Sequence, residues 1–411
     1  MAGLCAQKVI CSQSLGTSSK VFLRNCQPCA NALLTNKRHK SELAPTNKRG
    51  DLTAYKRGTG GRSSFNGIVA TVFGASGFLG RYVVNQLGKI GTQVVIPYRG
   101  PEYDVDHLKL CGDLGQILYT PFNLKDEDSI RAAVKHSNVV INLIGRDWET
   151  KNFTYDDVHV AGAERIARIS AESGVQRLIH MSTMNTDDIQ YAALGQKSRF
   201  IESKSRGEQV VREQFPEAVI MRPADMWGDE DRFVSYWAKH WRKHLEMMPV
   251  WKQGKHTIKR PVDVMNVAQG VVKAILDKDA VGSTIECVGP QSFYLYDMLQ
   301  FFYDEMRVGH INLIPLLPTF LAKVKICETV FPATPPLIMD KLIKESNNDV
   351  LTGCPTLEDL GVKLSPFDEG TRYQLKEFRT SKDYSESLHE IPDAKPPPTV
   401  AEVDAAKRVF F

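Results

Sequence analysis

The sequence predicts an α/β protein with a doubly wound, mostly parallel sheet, a smaller C-terminal region and an extended tail. Two observations predict this fold. From residue 67 onward, short and nearly continuous Val/Ile/Leu runs alternate with segments of helical periodicity. A glycine-rich turn also separates the first apolar run from the first helical segment. Apolar runs of this kind are typical of parallel strands that are covered by helices on both faces.

The alternation sets the expected elements and domain boundaries. We expect strands over 68–73, 93–98, 116–122, 138–145, 177–183, 218–228 and 283–290. We expect helices over 78–90, 126–136, 155–173, 200–214 and 261–277. Together these elements predict a nucleotide-binding domain over 67–290. A smaller region for partner contacts is expected over 291–385, followed by an extended, proline-rich tail over 386–411 that has little core of its own.

The N-terminal segment is strongly basic. Residues 1–62 hold eleven Lys/Arg and two acidic residues, although the whole chain has a net charge of only +4. A basic, serine-bearing segment without a continuous apolar core is typical of a mitochondrial transit peptide, which we place over 1–40 and follow with an extension over 41–66. A disordered basic tail of a cytosolic protein is the alternative.

Cysteine and histidine spacing does not indicate a metal site. Four of the eight cysteines lie in the predicted transit peptide, and the other four are scattered along the chain. His136, His159 and His180 lack metal-ligand spacing and are interpreted as structural. We therefore expect no metal.

No apolar run is long enough to cross a membrane. The uncharged, apolar-rich stretch 310–322 is short and is broken by Pro315 and Pro318. Residues 236–260 combine seven Lys/Arg and one acid with interleaved tyrosine and tryptophan, a composition that fits an anionic lipid surface or an acidic protein partner. A solvated helix with buried tryptophans explains it equally well. Nucleic acid is not expected as a partner, because the chain beyond residue 62 is net acidic.

The glycine-rich turn "GASGFLG" predicts a dinucleotide site. Gly74, Gly77 and Gly80 lie between a strand and a helix, where they allow a tight turn, close backbone approach to a pyrophosphate and close helix–strand packing. Backbone N–H groups and the positive end of the helix would then hold the diphosphate. The motif indicates a Rossmann-type domain.

The end of the second strand favours NADPH over NADH. An NAD site usually has an acid there for the ribose 2′-OH, whereas this chain has Tyr98 and Arg99 and no acid before Glu102. Arg99 could pair with a 2′-phosphate, and Arg81 could assist. Alternatively, Arg99 is a solvated loop arginine.

These features resemble the extended and atypical short-chain dehydrogenase/reductase family. Four motifs carry the resemblance: "GASGFLG", "NLIG" at 142–145, "HMST" at 180–183 and "RPADMWG" at 222–228. Longer stretches, among them "SNVVINLIGRDWET" and "FPEAVIMRPADMWGDEDRF", are similar to the Rossmann-fold accessory subunits of mitochondrial respiratory complex I. The family motif at the fifth strand would place the hydroxyl of Ser182 or Thr183 where a substrate is oriented.

The resemblance implies a ligand, a location and partners. It implies a tightly bound, structural NADPH and attachment to other complex I subunits on the matrix side of the inner membrane. It also implies a role in the assembly or stability of the complex near the ubiquinone-binding region, where the peripheral and membrane arms meet. The residues expected to hold the cofactor are Gly74, Ser76, Gly77, Phe78, Leu79, Arg99, Leu143, Ile144, Ser182, Lys204 and Pro223.

The same resemblance implies that the chain is not an enzyme. A short-chain reductase uses a tyrosine and a lysine four residues apart, in which the phenol donates a proton and the lysine lowers its pKa and binds the ribose. Here Phe200 takes the tyrosine position and Lys204 the lysine position. Two alternatives stay open: an atypical reductase or isomerase that uses Lys204 or a substrate-derived proton, and a sensor of the NADPH/NADP⁺ ratio.

Overall fold

The computed structural model describes residues 56–187, 197–244, 247–308, 311–379 and 393–409. The predicted transit peptide, most of the predicted N-terminal extension and part of the predicted tail lie outside these residues. The strands are β1 Val69–Phe73, β2 Gln93–Tyr98, β3 Ile117–Pro121, β4 Val139–Asn142, β5 Arg177–Met181, β6 Val219–Pro223, β7 Met226–Trp227, β8 Met248–Pro249, β9 Ile258–Lys259, β10 Val262–Asp263, β11 Thr284–Cys287, β12 Phe293–Tyr294 and β13 Leu313–Ile314.

The α-helices are α1 Phe78–Lys89, α2 Glu127–Val134, α3 Gly162–Glu172, α4 Arg199–Gln214, α5 Val234–Ala238, α6 Val264–Leu276, α7 Leu295–Glu305, α8 Pro318–Val330, α9 Met339–Glu345, α10 Phe367–Leu375 and α11 Val400–Val409. A π-helical turn, Asp157–Ala161, leads into α3. Short 3₁₀ segments lie at Glu102–Asp104, Asp106–Cys111, His240–Arg242, Trp251–Gly254 and Lys376–Phe378.

Seven strands form the central sheet in the order β11-β6-β5-β4-β1-β2-β3, and each neighbouring pair is parallel. The doubly wound sheet that the sequence predicts is thereby confirmed. The chain builds outward from β1 through β2 and β3, and then returns to the other side of β1 to add β4. This reversal places the switch point, where ligands bind in folds of this type, at the carboxyl ends of β1 and β4.

Helices cover both faces of the sheet because its strands are apolar on both sides. On one face α1 and α6 pack together and bury Val83, Leu87, Val267 and Val271. On the other face α2, α3 and α4 bury a second core that includes Ile166. Burial on both faces explains why the strands of the sequence are continuous apolar runs rather than alternating ones.

The predicted strand 218–228 is divided in two. β6 ends at Pro223, and the following residues leave the central sheet. Met226 and Trp227 instead pair in parallel with Val262 and Asp263. This departure turns the chain toward the C-terminal region and opens a cleft beside the ends of β5 and β6.

The C-terminal region has a core of its own, made largely of aromatic side chains. Trp237, Phe302, Phe320 and Phe367 are fully buried there with residues of α7, α8 and α10. The tail differs from the extended conformation that the sequence predicts, since Val400–Val409 form a helix. Thr399 bridges Phe293, and the Tyr294 hydroxyl donates to Asp404 over 2.9 Å. The packing of this helix against β12 explains the difference, because the preceding proline run by itself indicated an extended chain.

Two further properties concern the described residues alone. No helix among them is long and apolar enough to cross a membrane. No group of three or more His, Cys, Asp or Glu side chains in the same part of the chain could hold a metal ion.

Candidate functional site

A cavity of about 320 Å³ opens at the switch point of the sheet. One end is formed by the glycine turn between β1 and α1, and the floor by the ends of β4, β5 and β6. The other end is closed by α5 and α9 of the C-terminal region. The cavity therefore lies between the parallel sheet and the C-terminal region.

The glycine turn has the backbone geometry that a phosphate site needs. Gly74 has φ +82°, and a Cβ there would lie 3.1 Å from the carbonyl carbon of Leu143. At Gly80 a Cβ would lie only 2.4 Å from the carbonyl oxygen of Gly74. Gly77 is the N-cap of α1 and lines the cavity without a side chain. The first N–H groups of α1 thus face a space that only glycines leave free.

Lys204 lies in the middle of the cavity wall. Its Nζ donates to the carbonyl oxygen of Met181 over 2.9 Å, and the side chain is buried. Burial lowers the pKa of Lys204 to about 8, partly offset by the carboxylates of Asp147 and Glu208. An ammonium has three donors, so further hydrogens remain for a ligand hydroxyl.

Phe200 lies one helical turn before Lys204 and also lines the cavity. Its ring packs edge-on against His159 at 5.3 Å and against Tyr155 at 6.2 Å. Helical register is the reason that both side chains face the cavity, because residues four apart share a face. The position expected for a proton-donating phenol is thus occupied by a ring that can neither donate nor accept a proton.

The neighbouring histidine supports this helix rather than the cavity. The Nε2 of His159 accepts from the backbone N–H of Arg146 over 3.1 Å, and its Nδ1 lies 2.8 Å from the Ser203 hydroxyl. Burial and the positive charge of Lys204 lower the pKa of His159 to about 2, so the ring is neutral at physiological pH. These contacts agree with the structural role that the sequence analysis gives to His159.

Two buried polar atoms near Lys204 have no partner within the part of the chain that the structure describes. They are the hydroxyl of Ser182, which lines the cavity, and the Nε2 of His180. A buried polar group without a partner costs free energy, so such groups usually meet a ligand or water. Ser182 therefore agrees with the placement of a polar ligand beside Lys204.

The structure brings most of the predicted cofactor residues to the cavity. Those that line it are Gly74, Gly77, Phe78, Leu79, Leu143, Ser182, Lys204 and Pro223. Ser76 and Ile144 do not line it, although they adjoin residues that do. Arg99 is exposed at the end of β2, and its guanidinium carbon lies 5.7 Å from the centre of the Phe153 ring. Arg81, proposed as an assistant, pairs with Glu230 instead.

The sequence analysis missed the α9 side of the cavity. Asp340, Lys341, Lys344 and Glu345 all line it. The Lys344 Nζ pairs with Asp225 at 3.2 Å and lies 5.6 Å from the centre of the Phe200 ring. The only signal in the sequence is the charged stretch "MDKLIKE", which has no motif to connect it with a strand end more than a hundred residues earlier.

Arg146 is a second residue that the sequence analysis did not single out. It directly follows the "NLIG" motif and lines the cavity. Its guanidinium lies over the Trp148 ring, 5.2 Å from the ring centre, and Arg232 lies over the same ring at 4.9 Å. Burial lowers the pKa of Arg146, and the like charges of Arg99 and Arg232 lower it further.

Comparison with known proteins agrees with this geometry. The model of the "NAD dependent epimerase/dehydratase family" matches residues 70–287. "NADH dehydrogenase [ubiquinone] 1 alpha subcomplex subunit 9, mitochondrial" of Mus musculus is 44% identical over 341 residues, which cover 82% of this chain and 88% of that protein. The chain belongs to the alpha subcomplex subunit 9 branch of the NAD dependent epimerase/dehydratase family.

Other members of the family extend the comparison. The "NADH-ubiquinone oxidoreductase 40 kDa subunit, mitochondrial" of Neurospora crassa is 38% identical over 331 residues, covering 80% of this chain and 84% of that subunit. Among solved structures, the Thermus thermophilus UDP-glucose 4-epimerase complex with NAD has a TM-score of 0.53 at 15% identity. That alignment covers 76% of this chain and all of the epimerase chain, and it shows a shared fold. The resemblance to short-chain dehydrogenases/reductases is confirmed at the level of family and fold.

Membership of this family implies a nicotinamide dinucleotide, and the cavity fits one. The glycine cradle leaves room for a pyrophosphate at the start of α1. The unpartnered Ser182 hydroxyl and the spare donors of Lys204 provide polar contacts at the opposite side. A bound nicotinamide would supply hydride chemistry, and Ser182 and Lys204 would bind and orient it.

Proposed function

We propose that the chain holds NADPH in this cavity as a permanent ligand and does not transfer its hydride to a substrate. The observation that carries the proposal is Phe200, which lines the cavity one turn from Lys204. Loss of a positioned general acid typically costs about 10²–10⁴ in rate, while the ribose contact of the lysine is unaffected. A ligand that binds only the folded state stabilises that state, so a bound nucleotide can stabilise the protein without being turned over.

The preference for NADPH is supported by the charge at the end of β2. Arg99 is exposed there and has no carboxylate partner within the described residues. No acidic side chain stands where an NAD site would bind the ribose 2′-OH. A guanidinium free of a carboxylate can pair with a 2′-phosphate.

Among the described residues that line the cavity, one phenol offers support for the reductase alternative. Tyr236 is buried beside α9, and the Nζ of Lys341 lies 3.8 Å from the centre of its ring. Burial is the main cause that raises the pKa of Tyr236 well above its usual value. A phenol with a raised pKa is a poor proton donor near neutral pH, so Tyr236 does not replace the missing acid.

We further propose that the chain is an accessory subunit of mitochondrial complex I, attached to the matrix side of the inner membrane. The relatives are named as mitochondrial subunits of that enzyme, and the basic N-terminal segment is typical of a transit peptide. Its role would be assembly or stability of the complex near the ubiquinone-binding region. Electron transfer is not part of this proposal.

The C-terminal region offers a surface for partner contacts. Trp241, Ile326, Val330 and Phe331 are large apolar side chains that are 45–62% exposed, and the Trp241 and Phe331 rings lie 6.1 Å apart. We call these four residues the Trp241 surface. The Nζ of Lys323 donates to the carbonyl oxygens of Trp241 and Lys243, so the surface has a positive edge. An exposed apolar patch with a basic edge fits a neighbouring subunit at the membrane surface, with anionic lipid headgroups beside it.

Cofactor analysis of the native complex tests both parts of the proposal. Mitochondrial membranes are solubilised and separated by native electrophoresis, and the band that contains this chain is extracted for nucleotide analysis. We expect complex I to contain one NADP(H) for each copy of this chain. Migration of the chain outside complex I would overturn the subunit proposal, and a band with NAD(H) in its place would overturn the cofactor preference.

Spectroscopy of the purified chain tests the absence of turnover. The protein is loaded with NADPH, and the nicotinamide absorbance is followed after addition of aldehydes, ketones and quinones. We expect no oxidation in wild type and none in a Tyr236→Phe variant. Oxidation in wild type that is lost in Y236F would establish the reductase alternative in place of the structural ligand.

A further inference from the structure

We infer that Arg146 binds the pyrophosphate of the dinucleotide, and that it acts independently of the 2′-phosphate contact assigned to Arg99. This inference rests on the proposed NADPH binding and adds a residue that neither the glycine motif nor the family comparison assigns. The argument starts from the position of the two arginines at the edge of the sheet.

Arg99 and Arg146 follow strands that lie on opposite sides of β1. β2 pairs with one side of β1 and ends at Tyr98, while β4 pairs with the other side and ends at Asn142. The glycine turn follows β1 itself, directly between them. A dinucleotide that is held over the glycine turn therefore has Arg99 on the β2 side and Arg146 on the β4 side.

Arg146 is held in place on the cavity wall. Its backbone N–H donates to the Nε2 of His159 over 3.1 Å, and its guanidinium lies over the Trp148 ring. The Trp148 Nε1 in turn donates to the carbonyl oxygen of Ala333 over 2.9 Å. Aromatic packing restricts a guanidinium to a small region without using its N–H donors, which stay available to an anion.

The charges around Arg146 are unbalanced. Neither Arg99 nor Arg146 makes an ion pair within the described residues, whereas Arg232 pairs with Asp147 at 3.3 Å. Burial is the main cause that lowers the pKa of Arg146, and the like charges of Arg99 and Arg232 lower it further. These guanidinium groups therefore repel one another in the protein without a ligand. NADPH would relieve that repulsion with its diphosphate beside Arg146 and its 2′-phosphate beside Arg99, and phosphate is the anion that a guanidinium fork fits best.

The distinction between the two arginines sets the expected pattern of affinities. The pyrophosphate is common to NADPH and NADH, whereas the 2′-phosphate belongs to NADPH alone. A residue on the pyrophosphate therefore contributes equally to both cofactors, and a residue on the 2′-phosphate contributes to NADPH only. Arg232 is the matched control, because it lies over the same Trp148 ring but already has a carboxylate partner.

The experiment measures the affinities of NADPH and NADH by nicotinamide fluorescence for wild type, Arg146→Gln, Arg99→Gln and Arg232→Gln. We expect R146Q to weaken both cofactors by the same factor, about tenfold to a hundredfold, which is the usual range for a lost charged hydrogen bond. R99Q should weaken NADPH more than NADH, and R232Q should bind both about as wild type does.

Three outcomes would count against Arg146, and one against the proposed function. Unchanged NADH affinity in R146Q, loss of NADPH affinity alone, or an equal loss in R232Q would each overturn the inference. Wild type that binds neither cofactor would overturn the proposed function itself. Should R146Q fail to fold, Arg146→Lys is the second variant, because it keeps the positive charge and loses the forked guanidinium. Inorganic pyrophosphate should then compete less well against NADH in R146K than in wild type.

Discussion

The carboxylate of Asp340 in α9 accepts a hydrogen bond from the backbone N–H of Phe200 at the start of α4, with 3.2 Å between Oδ2 and N. Its other oxygen accepts from the Ser198 hydroxyl over 2.8 Å. The C-terminal region thus caps the helix that carries Lys204, because the first N–H groups of a helix have no partner within it. The position of α9 is therefore connected to the helix that carries Lys204.

Replacement of Asp340 by alanine tests this connection. D340A should lower the free energy of unfolding by about 1–2 kcal/mol, the usual cost of a lost N-cap, and should also weaken NADPH binding. Asp126→Ala removes the cap of α2, where the Asp126 side chain accepts from the backbone N–H of Asp128, far from the cavity. Urea denaturation and NADPH titration of both variants separate the effects. An equal change of NADPH affinity in D126A and D340A would show that α9 has no special link to the cofactor.

The glycine turn gives a prediction with a control of the same backbone conformation. Gly74 and Gly115 have φ of +82° and +76°, but a Cβ would meet the Leu143 backbone at Gly74 and nothing within 4 Å at Gly115. Gly115→Ala should cost only the strain of a left-handed residue, about 1 kcal/mol. Gly74→Ala should cost more and should also abolish detectable NADPH binding. Thermal melts with and without NADPH measure both quantities, and a stabilisation by NADPH that persists in G74A would contradict the role of this turn.

The sequence predicts the glycine turn, the Phe200 and Lys204 pair and the strands of the cavity floor because each of these features is local. The glycine turn follows β1 directly, and the spacing of Phe200 and Lys204 lies within one helix, so their shared face follows from helical geometry. The strands that carry the cavity floor are continuous apolar runs with clear ends. Each of these predictions depends on neighbours within about ten residues.

The parts that sequence analysis missed depend on distant packing. α9 is only seven residues long and has no periodic signal, yet it reaches the cavity because β7 and α5 turn the chain away from the sheet. Arg81 looked free to assist a 2′-phosphate, but Glu230 lies beside it in the folded chain. Nothing local to Arg81 indicates that partner, since 149 residues separate the two.

Substitutions in the Trp241 surface should affect assembly of the chain into complex I and leave the stability of the isolated chain nearly unchanged. Trp241→Ser combined with Phe331→Ser should reduce the fraction of the chain found in complex I and leave the melting temperature of the isolated chain nearly unchanged, because both side chains are half exposed. Leu110→Ser with Leu114→Ser removes two apolar side chains that are even more exposed, 81% and 102%, elsewhere on the surface. Native electrophoresis of cells that express each variant measures assembly. Equal assembly of the two double variants would show that the Trp241 surface does not contact a partner.

The buried ammonium of Lys204 should lower the stability of the nucleotide-free protein and favour NADPH binding, and the first effect should depend on pH. In the folded protein burial lowers its pKa from 10.5 to about 8, so between these values the unfolded chain binds a proton that the folded chain does not. Stability of the nucleotide-free protein therefore rises with pH from about 8 to about 10.5, and at pH 7 the full cost of burying the ammonium is present. For the change of pKa from 10.5 to about 8, that cost is about 3 kcal/mol.

Lys204→Met should therefore stabilise the nucleotide-free protein at pH 7, and the gain should shrink as the pH rises through 8 toward 10.5. The same variant should lose NADPH affinity, because methionine cannot donate to a ribose hydroxyl. Burial also lowers the pKa of Lys341 to about 8. Lys341 is present in both proteins, so the difference in unfolding free energy between wild type and K204M reports on Lys204. A gain that does not change between pH 7 and 10.5 would mean that Lys204 does not titrate in this range. A variant that is less stable than wild type at pH 7 would mean that the hydrogen bond to Met181 outweighs the cost of burying the charge.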